Sequence, residues 1–185
     1  MIEHNGKMYA RVSEVLQPLV DFGGADPEVV AKKATVGTNV HEAINEELGG
    51  GFPVLGAKER GYFKSWQKWN SILKPAFLET EMRYYDDKLR LTGCIDGLIQ
   101  LQGEKEATLI DYKTSVQESP IVWPMQAHLY HHLLINAGKE IAPKFIFLKL
   151  DRYSELPKAF VYKFDVNLMG KCLQAVKEFW RKQKQ

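Results

Sequence analysis

The chain has 185 residues, 45% of them apolar and 26% charged, with 25 Lys+Arg against 23 Asp+Glu. These values fit one folded domain with its own core and exclude a disordered tail or a disulfide-stapled miniprotein. A formal charge of +2 speaks against a strongly basic nucleic-acid binder, because proteins that track phosphates usually carry an excess of lysine and arginine.

The balance is uneven along the chain. Residues 1–138 hold 14 Lys+Arg and 18 Asp+Glu, whereas residues 139–185 hold 11 and 5. An anionic partner is therefore expected to meet mainly the last quarter, although the same lysines also fit the exposed faces of strands and a helix. Two cysteines, Cys94 and Cys172, are too few for a thiolate-rich zinc or iron–sulfur site and read as small buried residues. The start, MIEHNGKMYARVS, has an acid at position 3 and no apolar stretch of signal-peptide type, and no run approaches the roughly 20 apolar residues of a membrane span. The expected location is cytoplasmic.

In chain order, Asn5-Gly6 predicts a turn, Met8 to Val12 a short strand, and Ser13 the cap of a brief helix. Asp26-Pro27 predicts a second helix start, and Thr38 the cap of a third helix that stops at Gly49-Gly50-Gly51. On that third helix Val40, Ile44 and Leu48 form the apolar face, with His41 beside it in the first turn. A fourth helix is expected over 58–73, where Tyr62, Phe63, Trp66, Trp69 and Leu73 recur at helical spacing, a pattern of core packing. After Pro75 come three strand-like segments, AFLETEMRYYDD, KLRLTGCIDGLIQL and ATLIDYKTS, with turns at Asp86-Asp87 and Gln102-Gly103-Glu104. A helix beginning between Ser119 and Pro124 and ending near Ala137 follows, then strands at 143–150 and AFVYKFDV. A terminal amphipathic helix over 167–183 turns Leu168, Cys172, Ala175, Val176 and Phe179 inward. This order predicts a sheet flanked by helices, with a right-handed strand–helix–strand crossover at 107–150.

Chemistry concentrates in GCIDGLIQLQGEKEATLIDYKTS. Positions i and i+2 of a strand share a face, so Asp111 and Lys113 project together, and the hairpin can bring Asp96 alongside. Charges among Leu, Ile and Cys are costly unless paired or ligating. A lysine accounts for one carboxylate, and a divalent cation or a shared proton for the other. Oxygen ligands suit Mg²⁺ or Mn²⁺. A solvated edge hairpin meets the same pattern.

Asp96 followed by Asp111-x-Lys113 resembles the PD-(D/E)XK nuclease superfamily. More narrowly, GCID, IDYKTS, Gln126-x-x-x-Tyr130 and GTNVHEA resemble its RecB-type exonuclease branch, and YARVSEVL is similar to the opening of many small phage members. The resemblance spans about 9–150. It implies an α/β, restriction-endonuclease-like core with a central mixed β-sheet flanked by helices. The chain is then a single domain over 1–185, helical to about residue 74, a catalytic sheet core over about 75–165, and a terminal helix.

The resemblance further implies a metal-dependent DNA nuclease, an exonuclease first, acting in recombination, repair or processing. Asp96 and Asp111 bind Mg²⁺ or Mn²⁺, and Lys113 orients or activates the attacking water. His41 is a further ligand, although a lone histidine at a helix start is more often a surface residue or a satisfied core group. Gln126 and Tyr130, four apart on a helix, reach the scissile strand or the catalytic groups, although they also suit the rim of an amphipathic helix. Glu81 is placed at or near the metal ahead of Glu79. Alternation puts both glutamates on one face, so sequence does not separate them. His128, His131 and His132 have the spacing of a zinc pair but no third strong ligand.

Pro-Asp, expected at the first acid, is here Ile95-Asp96. No GxxxxGK[ST] is present, so a helicase, or a single-strand-binding or annealing protein, belongs to a separate chain. DNA is the implied partner, assembly into a homo-oligomer stays open, and no membrane is involved. A structure-specific endonuclease, an RNase, or a non-catalytic nucleic-acid-binding or assembly module on the same fold are the alternatives.

Overall fold

A computed structural model describes residues 1–20, 23–24, 26–115 and 117–184. Among these residues the chain forms seven strands and five α-helices. The elements are β1 (Ile2–His4), β2 (Lys7–Arg11), α1 (Val12–Leu16), α2 (Pro27–Leu48), α3 (Ala57–Leu73), β3 (Ala76–Asp86), β4 (Leu91–Gln100), β5 (Ala107–Lys113), α4 (Val122–Asn136), β6 (Ile141–Lys149), β7 (Lys158–Lys163) and α5 (Val166–Lys182).

The sheet is mixed. β3 runs antiparallel along the whole of one edge of β4. The other edge of β4 is shared: β2 pairs in parallel with its start, at Ala10 opposite Leu91, and β5 pairs antiparallel with its end, from Gly97 opposite Ile110 to Ile99 opposite Thr108. β5 and β6 are parallel and joined through α4, and β7 closes the sheet antiparallel to β6. No helix among the described residues is long and apolar enough to cross a membrane.

Period-two alternation feeds a separate core on each face of the sheet. Leu109, Phe145 and Phe147 pack with α1, α4 and α5, whereas Ile110, Tyr112, Ile146 and Leu148 pack with Val40 and Ile44 of α2 and with Phe63, Trp66 and Trp69 of α3. Of the stripe expected at 62–73, Phe63, Trp66 and Trp69 are core and Tyr62 packs at its edge, whereas Leu73, in the last turn of α3, is exposed. At the other end of the chain α5 is capped by Asp165, whose carboxylate accepts from the Asn167 and Leu168 amides.

Three expectations about caps and buried residues need correction. Thr38 caps nothing: α2 is one continuous helix from Pro27 to Leu48, and the Thr38 hydroxyl donates to the Ala34 carbonyl one turn back. His41 is therefore in mid-helix rather than in a first turn. Ser13 lies inside α1, whose start is closed by Glu14 accepting from the Arg11 amide. Cys94 is half-buried instead of core, and only Cys172 is fully enclosed. The span to residue 74 also holds two strands that extend the sheet, β1 turning into β2 through Asn5 and Gly6, both at positive φ.

The zinc reading of the α4 histidines also finds no support. His128 contacts the Pro124 carbonyl through Nδ1 and accepts the Asp165 amide at Nε2, and His132 is engaged with Asp86. His131 is wedged against the rings of Phe145 and Phe164.

α3 docks on the loop after β6. Ser65 Oγ accepts from the Asp151 amide at 3.0 Å, and a methyl group at Gly61 would overlap the Arg152 carbonyl. Gly61→Ala is expected to cost about 3 kcal/mol or more, since backbone must move. Gly170→Ala, in open space on α5, is expected to stabilise by about 0.5–1 kcal/mol; urea midpoints of both variants check the contrast. Burial, helped by His128 and His132, lowers the His131 pKa from 6.5 to about 4. The unfolded chain therefore takes up a proton that the folded ring refuses, and this residue costs stability as pH falls from 6.5 toward about 4. His131→Gln should gain on the wild type in denaturation midpoint on going from about pH 7 to about pH 4.5, and an unchanged difference would refute this.

Candidate active site

The ladder between β4 and β5 ends at Gly97 and Ile110. Beyond it the strands part, and the Tyr112 amide donates to Asp96 Oδ2 at 2.7 Å instead of to a strand carbonyl. The opening admits groups from both faces. Asp111 and Lys113 project toward α4, the side on which Leu109 is buried, while Asp96, next to the core residue Ile95, turns to α2.

On the α2 side His41 Nδ1 is 3.2 Å from Asp96 Oδ1 and 3.9 Å from Glu81 Oε1. These three residues offer ligand atoms that all lie within 4.8 Å of one another. His41 Nε2 is 3.0 Å from the Tyr112 carbonyl. A proton on Nε2 would leave Nδ1 bare toward the carboxylates, the tautomer a cation requires. The same strand thus orients both Asp96 and His41.

Glu81 reaches this group because its φ is +50°, a conformation few non-glycine residues adopt. That twist breaks the alternation that would have put both glutamates on one face. Glu79 is bonded instead to Lys139 and Tyr84. Cys94 Sγ donates to Glu81 Oε2 at 3.3 Å. Its place two residues before Asp96 was the sequence signal for this neighbour.

On the α4 side Lys113 Nζ is 2.6 Å from Asp111 Oδ2, but off the line that a hydrogen bond needs. That buried oxygen has no hydrogen-bond partner among the described residues. Gln126 joins the remaining groups: its Oε1 accepts from Lys113 at 2.9 Å, and its Nε2 donates to Asp111 Oδ1 at 3.2 Å and to Tyr130 Oη at 3.0 Å. The helix comes this close because β4 has Gly93 beneath it, where a Cβ would lie 2.6 Å from the Tyr130 ring. All seven candidate residues therefore meet around the opening, although Asp111 stands outside the His41–Glu81–Asp96 cluster.

The electrostatics are those of crowded carboxylates. Burial raises Asp111, and Asp96 adds to it against the pull of Lys113. Glu81 is raised by burial and then by Asp96. Asp96 is held below the usual range: burial works against ionisation, but His41 outweighs it. Burial by itself would lower His41, yet the Asp96 carboxylate lifts it to about 9. Burial and Glu81 push the Cys94 thiol up to about 12. A divalent cation would offset this surplus of negative charge, and the donor set of one imidazole and hard carboxylates suits Mg²⁺ or Mn²⁺ better than a soft metal.

The family model described as the PD-(D/E)XK nuclease superfamily matches residues 53–155, more than half of the chain. This chain belongs to the PD-(D/E)XK nuclease superfamily. The match includes Glu81, Asp96, Asp111, Lys113, Gln126 and Tyr130 and leaves out His41, whose place rests on geometry. No curated protein matches the chain.

Among solved structures, the alkaline exonuclease LHK-Exo from Laribacter hongkongensis gives a TM-score of 0.52 at 13% identity, covering 95% of this chain and 88% of its own. Its complex with dAMP gives 0.53 with the same identity and coverage. The structure of SSO0001 gives 0.52 at 14% identity over 99% of this chain and 79% of its own. At these identities the shared property is the fold.

The separation of the two glutamates can be checked. Glu81→Ala is expected to weaken Mn²⁺ binding by at least about tenfold in calorimetry. Glu79→Ala should leave it unchanged and cost about 0.5–1 kcal/mol of stability through the lost Lys139 pair. Equal effects on Mn²⁺ would contradict the assignment.

Proposed function

We propose that this superfamily member is a Mg²⁺- or Mn²⁺-dependent deoxyribonuclease that hydrolyses phosphodiester bonds, working as an exonuclease in DNA recombination, repair or processing, with residues 1–185 as one nuclease unit. The observation that carries this reading is the gathering of His41, Glu81 and Asp96 on one side of the strand opening and of Asp111 and Lys113 on the other. His41 through Nδ1, with Glu81, Asp96 and Asp111, would hold the cation. When bound, the ion supplies a Lewis acid and lowers the pKa of a coordinated water.

The protein's own groups do the rest. Asp111 and the Gln126 amide oxygen hold Lys113 aimed, so that its ammonium can orient the attacking water and meet the negative charge that develops on the phosphorane oxygens. Gln126 spends its acceptor on Lys113 and both donors on Asp111 and Tyr130, which fixes the ammonium in one rotamer and limits reorganisation during attack. The Tyr112 backbone, donating to Asp96 and facing His41 with its carbonyl, fixes the imidazole and carboxylate on the other side. Water attacks phosphorus in line, and the 3′-oxygen leaves. The alkaline exonuclease described above supports the exonuclease reading through its shared fold. Apart from DNA, a second copy of the chain and a separately encoded helicase or annealing protein are the partners this reading leaves room for.

Wild-type protein with Mg²⁺ or Mn²⁺ is expected to degrade labelled DNA. Asp96→Ala, Asp111→Ala and Lys113→Ala should each lower the rate by at least about 10²-fold. Equal rates in wild type and variants, or no hydrolysis with any divalent ion, would instead support a non-catalytic nucleic-acid-binding module.

A further inference from the structure

The sheet register lines up three lysines. Lys113 at the end of β5 is the parallel partner of Lys149 at the end of β6, and Lys149 is the antiparallel partner of Lys158 at the start of β7. Directly opposed residues of neighbouring strands point to the same face. That face is the α4 side. Phe147, two residues before Lys149, and Phe160, two after Lys158, both pack on Trp123 of α4. Lys113 lies over the Phe147 ring at 5.0 Å, and Lys158 over the Phe160 ring at 4.4 Å. At one strand spacing per step the row runs about 10 Å, from the catalytic opening out to β7.

Like charges placed directly opposite each other destabilise a sheet. Lys113 is offset by Asp111, and Lys158 is paired with Glu118 at 2.8 Å with both side chains well exposed. Lys149, half-buried between them, makes no ion pair among the described residues. The middle of the row therefore carries an uncompensated charge, flanked by two more of its own sign, on a floor of phenylalanine rings that keeps water off one side. Such a row favours a ligand with several anionic groups at regular intervals, and one of its ends coincides with the lysine of the proposed hydrolytic site.

We propose that Lys149 and Lys158 bind the backbone phosphates adjacent to the scissile one, so that a nucleic-acid strand crosses the ends of β5, β6 and β7 in that order. The assignment rests on the nuclease reading and extends it to the path of the substrate. Glu118 holds Lys158 when no strand is bound and yields it to a phosphate, an exchange that is inexpensive because the pair is solvated.

The test uses the full chain with Lys149→Gln, Lys158→Gln, the double variant and Glu118→Gln, and a short fluorescent DNA duplex as probe. Each lysine variant should lower the slope of log affinity against log salt by about 0.7–0.9. The double variant should raise KM for DNA several-fold, the loss appearing in KM rather than in kcat. Glu118→Gln should bind more tightly than wild type, a change that mere damage to the fold does not produce. An unaltered salt slope and KM in the double variant, with wild type still degrading DNA, overturns the lysine row and leaves the nuclease reading in place. A wild type that leaves DNA intact with Mg²⁺ and Mn²⁺ overturns the nuclease reading itself, and with it a row that flanks a scissile phosphate.

Discussion

Everything at the centre of this protein depends on one hydrogen bond that replaces a strand contact. Where β4 and β5 separate, the Tyr112 amide would be orphaned, and a buried amide without an acceptor costs about 1–3 kcal/mol. Asp96 supplies the acceptor from its side chain at 2.7 Å. The carboxylate thus serves twice, completing the backbone's bonding and standing in the gap that its own bond keeps open. Had the ladder continued in the register of Gly97 and Ile110, Asp96 would stand directly opposite Asp111 on one face, two like charges in contact. Their division, Asp96 toward His41 of α2 and Asp111 toward Gln126 of α4, is a property of the parted ladder.

The central motif was legible because strand periodicity states it directly. Asp111 and Lys113 had to share a face, and Asp96 had to lie on the preceding strand. The amide and phenol of Gln126 and Tyr130 were legible as a helical i, i+4 pair. What could not be read was anything that breaks a period. Glu81 differs from Glu79 through a left-handed backbone angle, which here carries no residue signature such as glycine. Thr38 offered the chemistry of a cap, yet α2 runs through it, because burial of Val40, Ala43 and Ile44 against the sheet outweighs a local hydroxyl preference. Lys149 was one lysine of a basic quarter until the register placed it in line with Lys113.

The two faces of the sheet divide the work. The α2 side presents an imidazole and carboxylates, a set for holding a cation. The α4 side presents an ammonium and an amide, a set for handling an anion, together with the Asp111 carboxylate that faces the opening between the two. Segregation keeps Lys113 from pairing with every carboxylate present: Asp111 has it, and Asp96 and Glu81 are left to His41. Composition conceals this arrangement, since a chain of near-zero net charge can still bring a concentrated negative pocket and a positive row within a few strand spacings of each other.

The β3–β4 turn has a reach of its own. Asp86, almost fully buried, accepts the turn amides of Lys88 and Leu89 and also faces His132 and Asn136 at the far end of α4. At its middle, two residues past Gln126, the same helix is held by the Asp165 amide donating to His128. α4 is thus a beam held at its middle and at its far end, with Gln126 mounted close to the middle hold. The aim of the Gln126 amide is set partly by a carboxylate about two to three turns of helix away, and chain variation in a surface hairpin reaches that amide through the rigid body of the helix and not through any direct contact.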